Sequence, residues 1–149
     1  MFSRLAAAET AAGRCGDAYT TVKAARVARA SDGNLQHVWV RLASTCNAVP
    51  AAERAEALRV AEALYKQLPT GAHAEALALA LAANGKAKDA VGYQQQMLFE
   101  AARQNDQVAA ARGQTFMKLF EAGRGATQPW PVGHPLYAPP RLVPSVRPK

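Results

Sequence analysis

The chain has 149 residues, a formal charge of +7 and two cysteines. A chain of this length fits one domain and buries enough surface to fold without a disulfide framework or a structural metal. No window reaches eighteen apolar residues, so a membrane-spanning helix is not expected.

Half of the residues are hydrophobic, yet aromatics are only 7 % and alanine supplies 35 positions, so the core must be built from thin helices in close contact. The basic excess is uneven. Four of the 18 basic residues (Arg124, Arg141, Arg147, Lys149) lie in 123–149, which holds no acid, leaving an ordinary +3 on 1–122. Two isolated cysteines, Cys15 and Cys46, make no disulfide framework; free thiols, with Cys46 a small core residue, are the simplest reading, and a single bridge between them stays open. The expected location is therefore the cytoplasm or another reducing compartment, including an organellar matrix.

In chain order, residues 3–12 predict a short helix stopped at Gly13. Asp17 is placed to cap a second helix running to about Ala30, with Ala18, Val22, Ala25 and Val27 inward and Lys23, Arg26 and Arg29 on another side. After the turn Ser31–Asn34, a helix over 35–47 carries the stripe Leu35, Val38, Trp39, Leu42, Ala43 and Cys46. Pro50 opens the next, over 51–67, with Ala57, Leu58, Ala61, Leu64, Tyr65 and Leu68 inward and Pro69 and Gly71 at its end. Residues 72–83 alternate Leu and Ala and could mimic a strand, but their alanines and the Asn84-Gly85 stop predict helix. A long helix follows from Lys86 to about Gln104. A last one, capped by Asp106, runs to about Glu121 with Val108, Ala111, Phe116, Leu119 and Phe120 on its apolar side.

The segment 123–149 differs. It holds seven of the nine prolines, which deny helix and favour extended backbone. Trp130, Leu136, Tyr137 and Leu142 are too large and apolar for a free linker, so part of this tail should dock on a surface.

Helix pairs recur about every 33–39 residues. Their first helices align as Phe2/Leu5/Ala6, Trp39/Leu42/Ala43 and Ala74/Leu77/Ala78. Their second helices align as Ala18/Val22/Ala25, Ala57/Ala61/Leu64 and Ala90/Gln94/Met97. This pattern resembles the tetratricopeptide repeat, best over Ala74–Ala102, with 107–125 similar to the helix that closes such arrays. The resemblance implies an all-α fold of stacked antiparallel helix hairpins over 1–122, a TPR-like α-solenoid of about three units plus a closing helix, followed by the extended tail 123–149. It also implies a partner-binding groove on the first helices, carried over to His37, Val40, Ser44, Asn47, Glu75 and Leu79. Tetratricopeptide domains bind peptides or other subunits, so a non-enzymatic adaptor or accessory subunit is the expected function, with other protein subunits as partners.

The catalytic signals are weak. His37, His73 and His134 lack close metal spacing, acids are scattered singly, and no phosphate-binding glycine motif occurs. No catalytic residue, metal, cofactor or small-molecule substrate is assigned. The alternative is a basic, nucleic-acid-associated (RNA-binding) helical protein using a ridge of Arg14, Lys23, Arg26 and Arg29.

Overall fold

The computed structural model describes residues 2–138. Leu142 and the other tail residues from 139 onward lie outside the described residues, as does Met1. The described residues form seven α-helices: α1 Phe2–Ala11, α2 Cys15–Ala28, α3 Gly33–Thr45, α4 Ala51–Gln67, α5 Gly71–Ala83, α6 Ala87–Arg103 and α7 Gln107–Glu121. A single 3-10 turn follows at Pro135–Tyr137, and no strand occurs among the described residues. The Leu/Ala run is thus the helix α5.

Local chemistry accounts for most boundaries. Asp32, Thr70 and Asp106 each accept from a backbone N–H in the first turn of the helix they precede. Gly13 and Gly123 sit at φ +77° and +75°, left-handed backbone that closes a helix. Asp17 does not cap α2. That helix begins earlier, at Cys15, so Asp17 falls inside its first turn, where a carboxylate still favours the positive end of the helix dipole.

Each helix packs on its neighbours in the chain, and α1, α3 and α5 also touch in succession. Side chains bridge α2 to α4 through Tyr19–Glu53 and Arg26–Glu56, and α4 to α6 through Tyr65–Gln96. Alanine makes this possible: Ala6, Ala43 and Ala78 on the first helices, and Ala18, Ala57 and Ala90 on the second, are all completely buried. With no side chain beyond Cβ, the backbones approach closely and many thin contacts replace a few bulky ones. The fifth helix is apolar on all sides because it is covered on all sides, by α3, α4, α6 and the chain that follows α7.

Some of the expected core positions face solvent. Val27 ends α2 beyond the packed turns, Leu68 lies past the end of α4, and Val108 and Ala111 lie on the open side of α7, the last helix of the row. Terminal turns and a terminal helix have a neighbour on one side only, which periodicity alone does not reveal. The cysteines are not free thiols. A disulfide joins Cys15 at the start of α2 to Cys46 just after α3.

Candidate functional site

After α7 the chain turns back over the helices. Gly125 passes beside the backbone of Ala82 at the end of α5, Pro129 reaches Arg41 on α3, and the 3-10 turn rests on α1. Ala126, Pro129, Trp130 and Pro131 are buried along this path, while Leu136 and Tyr137 are half-buried against the same core. Residues 125–138 thus form a strap across the face of α5, α3 and α1.

Of the groove residues expected from the sequence, Val40, Ser44, Glu75 and Leu79 are buried, His37 is half-buried and only Asn47 is exposed. The face is closed in this state rather than open to a partner, because the chain's own strap and the packing of α3 on α5 cover it.

A line of buried polar groups lies beneath the strap. Arg41 is 3 % exposed, Glu75 3 % and Gln94 fully buried. Arg41 Nη1 donates to Glu75 Oε1 at 3.0 Å and to the Pro129 carbonyl at 2.8 Å. Its Nε donates to His37 Nε2 at 2.9 Å. Gln94 Nε2 donates to Glu75 Oε2 at 3.0 Å and to the Gly113 carbonyl at 2.9 Å. Charged groups taken from water need such partners, and here both carboxylate oxygens and most guanidinium donors are used.

The bond to Arg41 fixes the state of His37. A guanidinium only donates, so Nε2 must accept and the ring proton of neutral His37 sits on Nδ1. That Nδ1 is buried without a partner. Burial first, then the Arg41 cation and His73, push the His37 pKa down to about 2. His73 stacks tilted beside it at 5.2 Å and donates from Nδ1 to the Leu68 carbonyl.

The strap has bonds of its own. Tyr137 Oη donates to the Trp130 carbonyl at 2.7 Å and accepts from the Trp130 N–H at 3.0 Å. His134 Nδ1 accepts from the Leu136 N–H, and burial and the Arg41 charge hold His134 below the usual histidine range. Beside the strap a cleft of about 340 Å³ stays open. Trp130, Pro131, His134 and Pro135 wall one side, and α3, α5, α6 and α7 contribute His37, Glu75, Met97 and Arg112 among others. Among the described residues no group of three His, Cys, Asp or Glu side chains is placed to hold a metal ion.

The basic ridge is not brought together as bare charge. Arg14 pairs with Glu9 at 2.8 Å and Lys23 pairs with Glu53. Arg26 pairs with Glu56 at 3.2 Å and lies over the Trp39 ring. Glu53 is held below the usual carboxylate range by its hydrogen bonds from Lys23 and Tyr19. Only Arg29, exposed at the end of α2, shows no ion pair among the described residues.

Sequence reasoning did not single out Arg41, Gln94 or Pro129 as site residues. The signal was present: a charged or amide side chain embedded in an otherwise apolar helix, as in Val40-Arg41-Leu42 and Ala74-Glu75-Ala76, points to a buried partner.

No family model, curated protein or solved structure matches this chain.

Proposed function

We propose that the chain is a non-enzymatic protein-interaction module, an adaptor or accessory subunit of tetratricopeptide-like build, that binds an extended segment on the face of α1, α3 and α5. The carrying observation is that this face already holds one, since the chain's own Pro/Trp segment lies across it with Pro129 and Trp130 buried and a carbonyl on Arg41. Peptide grooves work in this way, with a fixed polar contact setting register and apolar seats supplying affinity. The polar side chains at the floor support a binding role over catalysis, because Arg41, Glu75 and Gln94 are each committed to other protein groups.

The nucleic-acid reading draws less support. Three of its four ridge cations face acids at short range, and paired charges release few counterions on meeting phosphate. The Cys15–Cys46 disulfide does not decide the compartment.

The test is affinity capture with the full chain from nuclease-treated extract, comparing wild type with Val27→Glu and Phe99→Glu, both outside the strap face, and with Trp130→Ala. A discrete stoichiometric partner set that changes with Trp130→Ala alone is the expected result. A set unchanged by Trp130→Ala but lost with an outer-surface substitution would move the binding site off this face. Material removed by nuclease would favour nucleic acid.

A further inference from the structure

Among the described residues, one hydrogen bond runs from the helices into residues 126–138: Arg41 Nη1 to the Pro129 carbonyl. The other strap bonds are internal. Tyr137 clasps both backbone groups of Trp130, His134 caps the 3-10 turn, and the N–H groups of His134, Tyr137 and Ala138 bond to carbonyls three residues back. A segment whose polar groups satisfy one another can detach as a unit without stranding its own donors. Its connection to α7 passes through Gly123, already at positive φ, and exposed Gly125, which suits a pivot.

We infer that the strap is a displaceable occupant of the α5–α3–α1 face, and that the partner it yields to is an uncharged extended segment with a proline–aromatic–proline core. This deepens the proposed function and rests on it. The chemistry of the face selects that class of segment. Helix backbone carbonyls are already bonded within their helices, so the face has few acceptors for an incoming N–H. Proline has none to offer, and Pro129 and Pro131 flank the buried Trp130. Arg41 in turn needs a carbonyl, because without the Pro129 oxygen a nearly buried guanidinium loses an acceptor. A charged occupant would be desolvated beside an ion pair that is already balanced. The open cleft beside Trp130 gives a competitor its first foothold before the strap leaves, since Trp130, Pro131, Met97 and Ala101 all line it.

Exchange is read with a fluorescent peptide of residues 124–138 added to the full chain. Wild type should bind it weakly, because the tethered strap competes at an effective concentration in the millimolar range. Trp130→Ala loosens the tethered copy and should raise peptide affinity about tenfold or more, with helical circular dichroism retained. Tyr137→Phe, which removes only the clasp on the Trp130 backbone, should give a smaller gain. A peptide with its own Trp replaced by Ala should not bind.

Three results overturn the inference. One is a folded Trp130→Ala chain that binds the peptide no better than wild type. Another is equal binding of the Trp-less peptide. The third is loss of folding in Trp130→Ala together with no gain in Tyr137→Phe, which would make the strap permanent core. The exchange assay reads the strap alone, so it can fail while partner capture succeeds, and the reverse.

Discussion

Acidification should weaken this fold through His37. In the folded chain the ring is neutral, accepts from Arg41 and has its pKa pushed down to about 2, whereas in the unfolded chain it titrates near the ordinary histidine value of 6.5. The folded-state value is depressed, so the unfolded chain binds the extra proton at any pH between the two. The stabilisation is therefore present above pH 6.5 and is lost as the pH falls below it. The loss approaches about 1.4 kcal/mol per pH unit, which gives roughly 2 kcal/mol between about pH 7 and about pH 5. His134, also held below its ordinary range by burial, adds a loss of the same sign. Glu53 starts from 4.5 and is depressed further, so its contribution falls away only below this window. The assay is urea unfolding at several pH values for wild type and His37→Gln, whose amide oxygen can still accept from Arg41. Wild type should lose stability through the window, and the variant should lose about 2 kcal/mol less. Equal slopes for the two chains would refute a neutral, half-buried His37 bonded to a guanidinium.

Other perturbations test the same structure. Glu75→Gln puts an amide N–H against Gln94 Nε2 and leaves Arg41 unbalanced, so urea unfolding should show a loss of about 3 to 5 kcal/mol. The double substitution Arg41→Met with Glu75→Leu should recover much of that loss, and a double variant as unstable as the single one would show that charge burial is not the cause. Reducing Cys15–Cys46, separated by 31 residues, should cost about 3 to 4 kcal/mol by the loop-entropy estimate; thermal melts with and without reductant that coincide would argue against the pairing. Replacing Arg14, Lys23 and Arg26 together by Gln should leave any nucleic-acid affinity, measured across a salt series, unchanged. A marked fall in affinity and salt slope would restore the ridge as a binding surface.

The helices were legible because alanine, the Gly and Pro stops and the Asp106 cap agree locally with the fold, as at Asp106 and Gly13, whereas Asp32 reads only as a turn and Asp17 is misplaced as a cap. Misplaced inward residues such as Val27, Leu68 and Val108 share one cause. Helical periodicity identifies the apolar side of a helix but not where the neighbouring helix ends. The groove was harder to read. Resemblance assigned Val40, Ser44 and Leu79 to an open face, yet a face that apolar is stable in water only when covered, and the covering segment lies some 90 residues further along the chain, as the 88-residue span from Arg41 to Pro129 shows. The disulfide was equally hidden, because two cysteines 31 apart announce nothing until the turn between α2 and α3 brings them together.

The chain of groups from Gly113 through Gln94, Glu75 and Arg41 to Pro129 has a consequence for how the sequence can drift. Each member is held by the one before it, across α7, α6, α5, α3 and the strap in turn. Apolar contacts are non-directional, whereas these five groups meet only at one setting of every helix. They work as a combination lock on register. Any descendant of this sequence should therefore keep Arg41, Glu75 and Gln94 as a set or exchange all three for apolar residues, while the alanines around them change one at a time.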